Sequence, residues 1–361
     1  MINEKIAMVG TPCQILAGSK INYYEKETGG SSIDLKIGLF CMENFSYTYL
    51  KMFLQEKNIQ LNDVKEFRIE NNKFKVFSND DVYEFPISQT NSFKRKNCDI
   101  CTDYTSNLAD ISVGSVGSSK RYSTVIIRTQ KAKKIMDDLI KSGAVLKKDI
   151  DQKGLSLLER VSNKKITTNL GNIEKRENNA HPVLYKRKTP DNEIEELAND
   201  CQFDCLNADV IKEGACVLCG ACEFVCPIDI IQINERKPIK KGKCQDDCHA
   251  CYYACPRTFT TNKLLPQNID SKAVGNYLDI YSLKSNNFTG QDGGIVTEIL
   301  LHLLDKDITD NVFIVGEDEN NPWKPLPKLT NDRDEVIKAK GTKYSTVPIG
   351  FKALKKEKIK Y

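Results

Sequence analysis

The sequence predicts an α+β protein in which two stretches of mixed strands and helices flank a cysteine-dense insert. Three observations carry this. Residues 1–165 alternate short apolar strands with amphipathic helices but lack the steady strand–helix–strand rhythm of a parallel sheet. Residues 201–266 hold ten of the fourteen cysteines. Beyond residue 267 a glycine-rich turn runs into a strongly apolar helix.

Taken in chain order, "KIAMVG" reads as a strand ending in Gly10-Thr11-Pro12, with Cys13 at its tip. "IDLKIGLF" (33–40) and "STVIIRT" (123–129) read as further strands, and residues 65–87 as a meander turned by Asn-rich segments. "YTYLKMFLQEK" (47–57) and "KAKKIMDDLIKSG" (131–143) carry helical periodicity. From 166 to 200 the chain is polar without a clean apolar period, which predicts a linker or loosely packed arm. In residues 287–307, Ile295, Ile299 and Leu303 form one helical row and Val296, Leu300 and Leu304 the next. Glycines 290, 293 and 294 precede that helix. They read either as a plain turn or as a place where backbone N–H groups approach a ligand's phosphate or ring.

Composition narrows the chemistry. The chain has 361 residues, 40% hydrophobic and 28% charged, as in ordinary globular proteins of two or three domains. No run approaches the roughly 18 apolar residues of a membrane span. "MINEKIAMVG" puts acidic residues where a signal peptide is basic, so a cytoplasmic protein is expected. In a reducing compartment fourteen cysteines point to metal ligands rather than disulfides. The formal charge of +4 counts each thiol as neutral. Three four-iron clusters of about −2 each would move it to roughly −2, so no nucleic-acid partner is expected.

The spacing of the insert is specific. "CVLCGACEFVCP" (216–227) is C-x2-C-x2-C-x3-C-P, and "CQDDCHACYYACP" (244–256) repeats that frame with one added residue. Three closely spaced thiolates wrap one cube of iron and sulfide, and the fourth, before proline, reaches the neighbouring cube. Cys216, Cys219, Cys222 and Cys255 are thus expected to hold one [4Fe-4S] cluster, and Cys244, Cys248, Cys251 and Cys226 the other. Zinc ribbons also use C-x2-C pairs, but zinc requires neither the third close cysteine nor the Cys-Pro pairs. The segment is similar to bacterial two-cluster ferredoxins, which are wires for single electrons. Cys201 and Cys205 fall outside the frame and read as free or packing thiols.

Cys13, Cys41, Cys98 and Cys101 remain. Two lie near predicted strand ends and two form C-x2-C, which suits either a third four-iron cluster or packing thiols at separate places. "VGTPCQILA", "IGLFCMENFSYTYL", "CDICTDYTSNLADISVGSVGS", "STVIIRT" and "GLSLLERV" resemble the beta-subunit family of coenzyme F420-reducing hydrogenases and F420-dependent formate and F420H2 dehydrogenases. "FTGQDGGIVTEILL", "PWKPLPKLT" and "KGTKYSTVP" resemble that family's other half. The resemblance implies a mixed-sheet flavin-binding fold with an inserted ferredoxin. Residues 1–165 would be the C-terminal-type half, 166–200 a linker, 201–266 the ferredoxin domain and 267–361 the N-terminal-type half.

The resemblance further implies that Cys13, Cys41, Cys98 and Cys101 bind a third cluster. It places FAD near Gly290, Gln291, Asp292, Gly293 and Gly294, near Gly341, Thr342, Lys343 and Tyr344, and near Gly114 and Gly117. "SKRY" at 119–122 departs from a Pro-Asp-Gly-aromatic turn common in such proteins. The halves also stand in the reverse of the usual order, as in a circular permutation. The function implied is hydride exchange between the deazaflavin coenzyme F420, as substrate, and FAD, with single electrons passing through the clusters to a redox partner or catalytic subunit. Two alternatives stand beside it: another hydride donor, or an electron carrier without flavin.

Overall fold

The computed structural model describes residues 4–28, 33–79, 81–186, 201–234, 237–259, 273–290, 292–346 and 350–354. The first segment runs β1 (Ile6–Gly10), α1 (Pro12–Thr28), β2 (Ile33–Leu39), β3 (Phe45–Ser46) and α2 (Tyr47–Glu56). Then come β4 (Glu66–Glu70), β5 (Lys73–Phe77) and β6 (Val82–Pro86), an antiparallel meander separate from the main sheet. Its first turn uses Asn71 and Asn72 at φ 51° and 60°, the left-handed region that asparagine tolerates. β7 (Ile111–Gly114), β8 (Ser123–Ile127), α3 (Gln130–Lys141), β9 (Val145–Asp149) and α4 (Gln152–Asn178) complete it.

The cysteine-rich insert contributes the short helices α5 (Phe203–Leu206), α6 (Ala221–Phe224) and, after the hairpin β10 (Ile231–Ile233) and β11 (Pro238–Lys240), α7 (Ala250–Ala254). The last segment supplies β12 (Asp279–Ser285), α8 (Ile295–Asp305), β13 (Asn311–Asp318), β14 (Asn321–Thr330), α9 (Arg333–Lys338) and β15 (Ser345–Thr346).

Eight strands form one mixed sheet in the order β14-β13-β1-β2-β7-β8-β12-β9. The two sequence halves interleave within it: β13 pairs in parallel with β1, and β12 lies between β8 and β9. α8 and α3 pack into one apolar core with these strands; Ile299 and Leu303 are fully buried, as the helical rows predict. β13, β1, β2 and β7 are mutually parallel, and β12 runs with β7 because both oppose β8. The chain therefore leaves Gly10, Leu39, Gly114 and Ser285 at one carboxyl edge, where open α/β sheets place their ligand crevices.

Two expectations change. Cys13 does not cap a strand but occupies the first turn of α1. The local sequence explains this: Pro12 suits the first helical position, and the Gln14 side chain accepts the Thr11 N–H at 2.8 Å, half of a capping box. The predicted linker is a helix as far as Asn178; residues 187–200 lie outside the described residues. The buried face of α4 is Leu158, Ser162, Lys165, Asn169 and Ile173. Those residues keep helical spacing, but three of the five are polar, so apolar periodicity does not reveal them.

Candidate metal centres

Four cysteines from three separate places meet at one cavity of about 390 Å³. Its wall includes Cys13 from α1, Cys41 after β2, and Cys98 and Cys101 from the turn following the meander, together with Lys165 and Val217. The Asn44 N–H donates to Cys98 Sγ at 3.2 Å. α4 holds the rim: Asn169 Nδ2 donates to the carbonyls of Cys98 at 2.8 Å and Cys101 at 2.6 Å. Lys165 Nζ donates to the carbonyls of Cys41 and, at 2.8 Å, Asp103.

The electrostatics suit a cationic core among these thiols. Burial pushes the Cys41 and Cys98 thiols up, Cys98 to about 12, with neighbouring thiolate charge adding to the effect. Cys13 also rises, through burial and then the charge of Cys101. Cys101 moves down: burial opposes the shift, but the cations Lys165 and Arg257 prevail. Burial likewise works against the Lys165 ammonium, and the charges of Cys101, Cys41 and Asp103 outweigh it. Thiols whose ionisation is opposed by burial and by neighbouring charge, as at Cys13, Cys41 and Cys98, become stable thiolates beside positive charge, which a bound iron core would supply.

A second cavity, of about 340 Å³, is walled by Cys216, Cys219, Cys222 and Cys255. The crossed pairing predicted from spacing thus brings Cys255 to the first motif's trio. Cys251 is raised by burial and then by Cys248 and Cys244, with Cys255 and Cys226 also within electrostatic reach. Among the described residues no three His, Cys, Asp or Glu side chains close around a point as a single ion requires. Thiols spaced around a cavity suit a cube better than zinc. Arg257 borders this cavity and is buried, with Nε and Nη2 lacking any acceptor. Buried N–H groups rarely go unpaired, and sulfur atoms of a cluster are acceptors that would satisfy them. Cys201 and Cys205 line neither cavity; both lie within electrostatic reach of Tyr252.

The glycine-rich segments have structural reasons of their own. A Cβ on Gly293 would lie 2.6 Å from Leu283 O and 2.9 Å from Ser123 N, and one on Gly294 would lie 2.4 Å from Phe288 O. Gly114 meets the Phe40 ring and Gly117 the backbone of Gly154. A Cβ on Gly290 would meet nothing nearer than 3.6 Å, and Gln291 lies outside the described residues. None of these positions borders the two cysteine cavities.

Two of the predicted flavin segments come within reach of one cation. Arg68 of β4 is within electrostatic reach of both Asp292 and Tyr344. Burial raises the Asp292 carboxyl, with Arg68 opposing. Gly341 sits at φ +99°, Lys343 pairs with Glu317 at 2.7 Å, and β15 follows Tyr344 to pair with β3. The Phe45 N–H donates to Tyr344 O at 3.0 Å, so "GTKY" abuts the residue next to Asn44 and hence the Cys98 thiol.

Sequence reasoning missed Lys165, Asn169, Arg257 and Lys20. Lys20, on α1, is 1% exposed and donates to the carbonyls of Cys255 and, at 2.8 Å, Phe259, and to Thr258 Oγ1 at 3.1 Å. The i, i+4 pair Lys165 and Asn169 was the available signal for the α4 face. Nothing in the sequence ties residue 20 to residue 255.

Comparison with known proteins gives the same division of the chain. The family model described as the C terminus of the coenzyme F420 hydrogenase/dehydrogenase beta subunit matches residues 3–153, and its N-terminal counterpart matches residues 281–355. The chain belongs to the coenzyme F420 hydrogenase/dehydrogenase beta-subunit family. A 4Fe-4S binding domain model matches residues 209–232, between the two halves, which stand in permuted order. Coenzyme F420 hydrogenase subunit beta of Methanococcus voltae is 39% identical over 50% of this chain and 66% of its own length. The corresponding subunit of Methanothermobacter thermautotrophicus is 37% identical with the same coverage. The chain thus spans just under two thirds of these relatives. A chain of the F420-reducing [NiFe] hydrogenase complex from Methanosarcina barkeri is similar at 36% identity and a TM-score of 0.46, over 48% of this chain and 62% of that one. No helix among the described residues is long and apolar enough to cross a membrane.

Proposed function

We propose that this beta-subunit homologue exchanges a hydride between the deazaflavin coenzyme F420 and FAD and passes single electrons through three [4Fe-4S] sites to a redox partner or catalytic subunit. The observation that carries the reading is the contact between the two kinds of site. Asn44 bonds Cys98 Sγ while its neighbour Phe45 bonds Tyr344 O, at 3.2 and 3.0 Å. A flavin held by the "GTKY" and "GQDGG" segments would therefore lie beside the cluster cavity. When bound, FAD supplies conversion between a hydride and single electrons, and the iron–sulfur cubes supply one-electron transfer.

The chain's own residues supply position and charge. Cys13, Cys41, Cys98 and Cys101 would ligate the cube nearest the flavin segments. Asn169 orders the C-x2-C turn, and Lys165 places a buried cation at its rim. Val217 lines both this cavity and that of Cys216, Cys219, Cys222 and Cys255. Both Coenzyme F420 hydrogenase subunit beta relatives carry the deazaflavin in their names, which supports it as the hydride partner. The packing roles of Gly293 and Gly294 favour a second reading, an electron carrier without flavin.

Iron and FAD per chain, measured on anaerobically purified protein, test the reading. About twelve irons and one FAD are expected, with reduced F420 bleaching the flavin. Iron without flavin supports the carrier; a flavin reduced only by another donor refutes the deazaflavin.

A further inference from the structure

We propose that Arg257 is a cation shared by two cluster sites, so that the clusters in the two cysteine-walled cavities are poised together rather than independently. The inference rests on the reading that both cavities hold iron–sulfur cubes. Arg257 is 3% exposed, and its Nε and Nη2 have no acceptor. A buried guanidinium left so is costly unless an anionic acceptor faces it.

Its position relates it to both cavities. Arg257 borders the cavity of Cys216, Cys219, Cys222 and Cys255. Its guanidinium stacks 4.2 Å over the Tyr185 ring, and the Tyr185 hydroxyl donates to the carbonyl of Ile100, between Cys98 and Cys101. Tyr185 thus fastens the cation to the C-x2-C turn of the other cavity. The charge reaches Cys13 and Cys101 on that side and Cys216 and Cys255 on this one. Val217 walls both cavities.

Charge explains the need. Each cube with four thiolates is anionic, and each added electron makes it more so, which repels an electron arriving at the next site. Lys165 borders the first cavity and Lys20 bonds the Cys255 carbonyl at the second, whereas the Arg257 charge reaches thiols of both. An arginine keeps its charge in such surroundings and offers several directed N–H groups to sulfur.

EPR-monitored redox titration of the anaerobic full chain tests this, with Cys98→Ala and Cys244→Ala proteins assigning the signals. Arg257→Gln should keep the wild-type iron content and lower the potentials of two clusters. At fixed potential each should show at least a tenfold smaller reduced-to-oxidised ratio, about 59 mV for one electron. The Cys226/Cys244/Cys248/Cys251 signal should stay in place, and Arg257→Lys should restore most of the loss. Movement of only one cluster, or of none, overturns the proposal. If Arg257→Gln loses iron, Tyr185→Leu takes its place: the same two signals should move in the same direction, and a Tyr185→Leu protein with full iron and unmoved potentials overturns it. A wild-type chain with about eight irons or fewer defeats the three-cluster reading itself, a failure distinct from unmoved potentials in fully loaded protein.

Discussion

Replacing Asn169 with leucine tests whether α4 holds the third cluster's ligands. Leucine keeps the volume and the helix but removes the donor that two carbonyls share. Cys101 O, at 2.6 Å, would lose its partner and Cys98 O, at 2.8 Å, would keep only the Cys101 N–H at 3.3 Å, in a site where Asn169 is 7% exposed. An acceptor left unpaired on burial costs about 1–3 kcal/mol, so the turn would be destabilised by about that much. That corresponds to roughly 5-fold to 150-fold in the equilibrium between the ordered turn and an opened one. The assay is release of iron to a chelator from anaerobic protein, followed by EPR of what remains. About four of twelve irons should leave at least roughly 5-fold faster than in wild type, while the ferredoxin signals persist. Asn172→Leu is the control: it removes two longer bonds, 3.2 Å to Asp99 O and 3.3 Å to Asn169 Oδ1, neither of them to a cysteine carbonyl, and should accelerate release less. Equal effects of the two substitutions, or none from Asn169→Leu, would refute the assignment of α4 as the clamp.

Other outcomes follow from the same geometry. Cys13→Ala or Cys98→Ala should each remove about four irons and leave the ferredoxin spectrum intact; full iron in both returns these cysteines to packing. Gly293→Val should lower the melting temperature, because its side chain would meet the backbone of Leu283 and Ser123, so any flavin loss there is ambiguous. Gly290→Ala meets nothing within 3.5 Å, and reduced FAD content at an unchanged melting temperature would mark a ligand contact. Lys20→Met should leave the Phe259 carbonyl without its donor and remove one donor from Cys255 O, which keeps Thr258 Oγ1 at 3.0 Å, and speed chelator release of iron from the Cys216/Cys219/Cys222/Cys255 site; an unchanged release rate would show that the clamp is dispensable.

What was legible in the sequence was whatever depends on spacing. The crossed ferredoxin pairing is dictated by how far a short loop reaches, and the cavity containing Cys216, Cys219, Cys222 and Cys255 agrees with it. The meander and α8 follow from apolar periods of two and 3.6 residues, and both are present. α4 was not legible as a helix beyond 165, because its buried stripe serves carbonyls of a metal-site turn rather than an apolar core. The glycines of "GQDGG" were legible as special, but the packing need at Gly293, where a Cβ would meet Leu283 O and Ser123 N, was not. A glycine required by a neighbouring strand's backbone and one required by a ligand look alike in sequence, and only Ser123 and Leu283, distant in the chain, distinguish them.

The permuted order bears on how the ferredoxin is attached. Here the insert joins α4 to β12, so both of its connections lead into the fold it serves. Residues from both halves grip it: Lys20 bonds Cys255 O, Arg95 Nη2 bonds Cys216 O at 3.0 Å, and Arg176 reaches Glu213. From the last segment, Phe351 is fully buried in the core that contains Val217, Cys219 and Phe224. That core also takes in Ile6, Met8 and Phe313 of the main sheet. An interface so continuous with the interior does not open and close as a surface contact between domains does. The consequence is that the Cys13 cavity and the Cys216 cavity hold a fixed separation, and electron passage between them would depend on the residues of their common wall rather than on docking. Val217, which lines both cavities, is therefore the position where substitution should alter transfer without altering assembly.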